Sequence, residues 1–354
     1  MVTLFGQGFD SPRLHSRILI PQNCGIIFYI WFTIMRLKTI LLLLVLSSAV
    51  FCFAQDKDSS IITHYDSLVL FKNRQSLIAK AQVLTYGGSL LALNQAWYAN
   101  YPRSSFHFYN DGGEWLKMDK AGHGYTAYQV SRLQFAALQW AGVKNNKAIL
   151  YSSLSGLGYQ TIIETLDGFS SQWGWSWNDM LANTLGTGIW AGQQYAWGEQ
   201  KIRLKFSAHF NKYSDIQLEN RTNQYFGSSL PERLLKDYNA QTYWLSANLY
   251  SFLPKLPAPK WLNIAVGYGA ENMFGGYGNN WSTTGNQIYQ TEYIVRNDLK
   301  RYPQWYLSLD VDFEKIPTKS KTMKTLFFVL NAIKIPAPTL VLANGKVSGE
   351  WFYF

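Results

Sequence analysis

Two periodicities divide the chain. From residue 74 to about 195 apolar residues recur at helical spacing, and from Ile202 onward they alternate with polar residues at the two-residue spacing of strands. A first helix is expected over residues 74–98, with Leu77, Ala81, Leu84, Leu91 and Trp97 as its apolar side and Gly87-Gly88 as a break or close-packing point. The loop that follows closes on Asn110-Asp111-Gly112-Gly113, a strong stop signal. A second helix should span residues 117–140, a third residues 147–166 with Gly168 as its C-cap, and a fourth residues 176–195. Ser176-Trp177-Asn178-Asp179 has the form of a capping box with Asp in place of the usual Glu. Short links between these helices predict an antiparallel four-helix bundle. Ser152, Ser153, Ser155, Gly156 and Gly158 on the third helix, and Gly186, Gly188 and Gly192 on the fourth, would let helices approach closely.

Beyond Gly198 the pattern becomes two-faced. Ile202, Leu204, Phe206, Ala208 and Phe210 alternate with Arg203, Lys205, Ser207 and His209, and strands are expected again over residues 243–252, 262–268, 287–295 and 305–313. Residues 322–332 suit either a helix or a strand, and residues 340–342 and 347–354 pair as a hairpin around Asn344-Gly345. The fold class is therefore α+β. Strands of this length, rich in aromatics and ending in Trp351-Phe352-Tyr353-Phe354, predict a small outer-membrane β-barrel; the alternative is a soluble sheet or sandwich packed on the bundle. Asp310, Asp312 and Glu314 must then face the lumen or water.

The N-terminal region changes where the protein is expected to live. Met35-Arg36-Leu37-Lys38, followed by an apolar run to Phe51, reads as a signal peptide cleaved after Ala54; residues 1–34 read as a start placed too early. An uncleaved inner-membrane helix and a lipid anchor at Cys52 are the rival readings. The expected organisation is residues 1–54 as leader, 55–73 as an arm carrying a short strand, 74–198 as the helical domain and 199–354 as the β domain. Both cysteines, Cys24 and Cys52, fall in the leader, so thiolate zinc sites and cysteine nucleophiles are excluded from the mature chain. Removing four basic residues and one acidic residue from a net charge of +10 leaves +7, spread without runs, which argues against a nucleic-acid partner and for anionic envelope lipid. An aromatic share of 16% points the same way, because aromatics collect at membrane interfaces. No phosphate-cradling GxxxxGK[ST], GxGxxG or Gly-x-Ser-x-Gly pattern is present.

Candidate chemistry is concentrated between residues 117 and 183. Asp119 and His123, Glu164 and Asp167, and Asp179 and Asn183 each share one helix face. His123 with a carboxylate one turn away can be an oriented base or half of a metal site, for which His123, Glu164 and Asp167 are the candidate ligands of a divalent metal. Asp119 at a helix start, and Asp179 as a cap residue, also have purely structural explanations. Glu164 and Asp167 in a last helical turn oppose the macrodipole, so a cation is expected beside them: a metal, protonated His123, Lys120 or Arg132. Lys120 itself reads as a surface or interface charge. Trp173, Trp175 and Trp177 either floor a pocket or sit at a lipid interface, and Asn183 reads as satisfying a buried backbone group.

The ordered set Asp119-Lys120-Ala121-Gly122-His123, Glu164 with Asp167-Gly168-Phe169-Ser170, Trp173-Gly174 and Ser176 through Asp179 to Asn183 and Gly186 resembles the YfiM-like family of predicted periplasmic lipoproteins, over about residues 112–197. The same order is similar, more faintly, to VanZ-type membrane proteins. The resemblance implies an envelope location and supplies no activity; the poor signal context of Cys52 departs from a lipoprotein. The expected role is a structural or assembly component of the outer membrane or the periplasmic face of the envelope, its bundle held by a buried Asp/His/Glu network, with membrane lipid as a partner and room for protein partners. The alternatives are a lipid- or cell-wall-directed hydrolase or transferase using His123 with Glu164 and Asp179, and a binder of lipid or a small ligand.

Overall fold

A computed structural model describes residues 64–98, 101–284 and 291–353. The expected leader, with Cys24 and Cys52, lies outside the described residues. Of the expected arm, the described part is helical: α1 (His64–Leu93) begins ten residues ahead of the sequence boundary. It extends backwards because Phe71 lodges against Gly142, and Arg74 donates to the carbonyl of Trp140 at 3.1 Å. A π-helical turn, Asn94–Tyr98, ends it.

Three helices pack closely: α2 (Met118–Trp140), α3 (Asn145–Gly168) and α4 (Trp177–Trp197). Small residues set this packing at two of the expected positions. A Cβ on Gly186 would lie 2.0 Å from the Gly124 carbonyl oxygen, and one on Gly156 would meet Ser131 Oγ at 2.3 Å, whereas Gly158, Gly188 and Gly192 face open space. Of the expected four-helix bundle, α1 meets the other helices through Phe71, the Tyr86 ring on Tyr159 at 4.9 Å and the bonds of Gln82 and Tyr86 to Ser155 Oγ at 2.9 and 2.8 Å; Ile78 is buried, while Leu77, Leu84 and Leu91 are exposed. Gly168 is also not a left-handed cap; it closes α3 where a side chain would strike the ring of Phe106.

The β region holds β1 (Ile202–Ala208), β2 (Gln241–Asn248), β3 (Leu262–Glu271), β4 (Asn280–Thr284), β5 (Thr291–Val295), β6 (Tyr302–Val311), β7 (Ala337–Ala343) and β8 (Lys346–Tyr353). Six form one antiparallel sheet in the order β1-β2-β3-β6-β7-β8, and β4–β5 is a separate hairpin. Asn344 and Gly345, both at positive φ, make the expected tight turn between β7 and β8. Residues 322–332 resolve as a helix, α8 (Lys321–Leu330), and residues 249–252 as the short α7 (Leu249–Phe252), capped by Asn248. Two helices the alternation did not reveal, α5 (Ile216–Phe226) and α6 (Leu230–Lys236), start at Asp215 and at a Ser229/Glu232 capping box.

The expected barrel is not closed: among the described residues no ladder joins β1 to β8. The free edge of β1 is already occupied. Gln193 exchanges two hydrogen bonds with the backbone of Ile202, Gln129 donates to the Leu204 carbonyl, and Phe206 pairs with Ala332 and Lys334. The sheet curls so that its inner face is polar. Lys205 reaches from β1 to Asp310 on β6 at 2.8 Å with both side chains fully buried, and Arg203 meets Asp312 at 3.1 Å. Trp244, Tyr306 and Tyr353 fill the other end of the inner face, with Gly267 leaving space for the Trp244 ring. The outer face carries Leu245, Val266, Leu307 and Leu340; α2 covers only its β1–β2 side, where Tyr125 packs on Phe206 and Tyr243. No described helix is long and apolar enough to cross a membrane.

Candidate functional site

The start of α2 is set by an unusual turn. Trp115, Leu116 and Lys117 all adopt positive φ, 50°, 48° and 67°, a conformation costing a non-glycine residue about 1–2 kcal/mol. It is held from the β region: Trp115 N–H donates to the Gly276 carbonyl, Tyr268 donates to the Leu116 carbonyl, and the Trp115 ring is buried with Met118, Phe226 and Met273. The reversal turns Asp119, Lys120 and His123, on the first turns of α2, towards the starts of the neighbouring elements.

Lys120 is the hub. Its Nζ lies 2.6 Å from Asp111, 2.8 Å from Asp119 and 2.6 Å from Asp179, which come from the loop before α2, from α2 itself and from the first turn of α4. The expected surface lysine is thus corrected to a largely buried one. Asp119 also accepts from Tyr238 Oη at 2.7 Å, tying the centre to the chain between α6 and β2.

His123 occupies the next layer. Its Nε2 lies 3.8 Å from both Asp119 and Asp179; its Nδ1 lies 3.5 Å from Glu164 Oε1 and 3.2 Å from Asn183 Oδ1. Gln160 Nε2 donates to the same Asn183 oxygen at 2.8 Å. Asn183 therefore orients His123 and Gln160 and does not serve a backbone group. Ser176 caps α4 by accepting from Asp179 N–H at 3.1 Å, as the sequence indicates. The reciprocal half of the box comes from elsewhere: Glu164, not Asp179, accepts the Ser176 N–H at 3.2 Å, which frees the Asp179 carboxylate for Lys120.

The charge balance is lopsided. Burial, opposed by the charges of His123 and Lys120, leaves Asp119 lowered to about 2, and Asp111 is also held down despite its burial, through Asp179, Lys120 and Ser176. Asp179, desolvated and repelled by Asp119, is pushed up to about 9: three carboxylates around one ammonium do not all ionise. Lys120 is raised by its acidic neighbours in spite of burial. Glu164 has no exposed surface and desolvation pushes it up to about 8; Asp167 is pushed up to about 7 by the same cause. The two carboxyls that oppose the end of α3 thus escape part of the macrodipole penalty by holding protons.

The other sequence candidates separate. Asp167 turns to Tyr98 Oη at 2.6 Å, away from His123, and Arg132 pairs with Glu314 at 2.7 Å. Among the described residues, Asp119, His123 and Asp179 can offer one atom each to a single metal, all within 4.8 Å of one another; of the three ligands expected from the sequence, His123 belongs to this group. A metal there would have to displace the Lys120 ammonium. The tryptophans do not floor one pocket: Trp173 packs edge-on against Tyr98 and Tyr101, while Trp177 is exposed and stacks on Phe108. Asp111, Gln160, Tyr98 and Tyr238 were not legible as members; Asp111 sits in the Asn-Asp-Gly-Gly stop, where a turn explains it without further chemistry.

The family described as predicted periplasmic lipoprotein (DUF2279) matches residues 107–192. That span takes in the end of the loop carrying Asp111, all of α2 and α3 and most of α4, and stops before the sheet. It supports an exported envelope protein and names no activity. No curated protein and no solved structure matches the chain.

Proposed function

We propose that this chain is a structural or assembly component of the envelope, associated with the outer membrane, in which the ionic centre locks the starts of α2 and α4, the loop before α2 and the β region into one arrangement. The observation that carries this reading is the position of Lys120: one ammonium within 2.6–2.8 Å of carboxylates from three separate segments, one of which is also bonded to Tyr238. Removing one partner of a buried ionic network leaves uncompensated charge and costs about 3–5 kcal/mol. Thermal melting of Lys120→Met tests it. A large fall in Tm, with His123→Ala also destabilised, is expected; unchanged melting of both variants, with loss of an envelope phenotype, would point to chemistry instead.

A second reading has one observation of its own. Glu164 Oε1 is buried without a hydrogen-bond partner, 3.5 Å from His123 Nδ1. A carboxyl held near neutrality beside an imidazole is an acid–base pair, which a hydrolase or transferase acting on lipid or cell-wall material would use. In that reading His123→Ala abolishes turnover with the melting temperature nearly intact.

A further inference from the structure

We propose that the outer face of the six-stranded sheet is a lipid-contact surface that lies in the hydrocarbon of a bilayer. The strands of this sheet are inverted. An antiparallel sheet with one wet face ordinarily turns its apolar residues to the core and its polar residues to water. Here the inner face buries Arg203, Lys205, Asp310 and Asp312. On the outer face Leu245, Val266, Leu307 and Leu340 stand in register across β2, β3, β6 and β7, each 48–54% exposed. Polar inside and apolar outside is the arrangement demanded by a low-dielectric exterior.

The ends of this face point to a bilayer more than to a protein partner. The aliphatic rows end on one side at Tyr268 and Trp305, which face each other across β3 and β6, Trp305 half-exposed and Tyr268 anchored to the Leu116 carbonyl; on the other side they run to Leu262, beside the turn that carries the exposed Trp261. From Leu262 to Tyr268 the strand covers about 20 Å at a rise of about 3.3 Å per residue, most of the apolar band of about 25 Å that aromatic girdles flank in outer-membrane strands. Exposed lysines lie beyond both belts, Lys255 and Lys260 at the Trp261 end and Lys300 and Lys346 at the other, complementary to anionic headgroups. Hydrocarbon tolerates no unpaired backbone, and at the β1 edge Gln193, Gln129 and the Ala332–Lys334 segment supply the partners; the β8 edge has no ladder partner among the described residues, so it must lie at the margin of the apolar layer. A shallow, open groove of about 460 Å³ runs along this face beside β8, lined mostly by Ile264, Leu307, Leu309, Leu340 and Trp351, with Glu350 at its edge.

This surface deepens the envelope reading above and rests on it only for the identity of the membrane. The test uses the full chain carrying Cys24→Ser and Cys52→Ser, which removes any acyl anchor, with Leu307→Cys or Lys346→Cys labelled by an environment-sensitive fluorophore. It is reconstituted with vesicles of phosphatidylethanolamine and phosphatidylglycerol. The label at residue 307 should shift to the blue and be quenched more by spin labels deep in the acyl chain than by shallow ones, with the opposite order at residue 346. Val266→Lys should leave the label at residue 307 water-like with vesicles while the circular dichroism of the chain is kept. A label at residue 307 that stays water-like with vesicles, or that is buried without lipid in a dimer pairing through β8, overturns the proposal. Cell fractionation that finds the protein outside the envelope overturns the location and leaves the vesicle result standing.

Discussion

The helical centre and the interior of the sheet both bury charge, and they balance it in opposite ways. Inside and at the end of the sheet, Arg132, Arg203 and Lys205 meet Asp310, Asp312 and Glu314 nearly one for one, and Glu314, its side chain 32% exposed, is held down to about 2 by Arg203 and Arg132 against desolvation. At the helix starts, Asp111, Asp119, Asp179 and Glu164 share Lys120 and His123, and two of those acids are driven upward by burial. A balanced network only has to be assembled. An unbalanced one has to store protons, which makes it sensitive to pH and places it closest to chemistry.

The largest effect that can break this comparison is in the sheet. Lys205→Met leaves Asp310 with no exposed surface and without its 2.8 Å partner, so unfolding free energy from denaturant titration should fall by about 3–5 kcal/mol. A change below about 1 kcal/mol would show that the interior is wetter than it is drawn. Gly186→Ala should come next. Its new methyl would meet the Gly124 carbonyl at 2.0 Å, and overpacking of about 1–3 kcal/mol should open the contact between α2 and α4 and disturb His123 with it.

The pH dependence separates the two regions more finely. Glu164 and Asp179 bind protons more tightly folded than unfolded, so the folded state loses stability as pH rises, from about 4.5 to about 8 for Glu164 and from about 3.8 to about 9 for Asp179. Each contributes at most about 1.4 kcal/mol per pH unit within its window. Asp119 acts in the reverse sense, and its contribution is lost as pH falls from about 3.8 to about 2. Glu164→Gln, which imitates the protonated acid, should therefore be near neutral at pH 5 and flatten the fall in Tm between pH 5 and 8; an unchanged pH profile would place the proton elsewhere. The smallest effect should be at the exposed stack of Trp177 on Phe108, where Trp177→Ala should cost about 0.5–1 kcal/mol.

The sequence carries the helices and most strands plainly, because their periods are long and their caps explicit: Ser176 before α4 and Asn344-Gly345 between β7 and β8 stand where they are read. Closure of the sheet was not legible. The strand pattern shows which side chains alternate, not that Gln129 and Gln193, from helices far earlier in the chain, take the edge that a barrel would need. The candidate site was read as helix faces, and Asp119, His123, Glu164, Asp179 and Asn183 do converge. Their hub was missed, since an ideal helix turns Lys120 about 100° from Asp119 and gives no hint that Asp111 and Asp179 wait on that side.

The Lys120 ammonium, on this reading, is the resident cation between the starts of α2 and α4. Elemental analysis of the purified full chain, with Lys120→Met and Asp179→Asn beside it, decides between that ammonium and a metal held by Asp119, His123 and Asp179. No stoichiometric divalent metal is expected in the unsubstituted protein, with a marked loss of stability in Lys120→Met; one metal ion per chain, lost on Asp179→Asn, would contradict it.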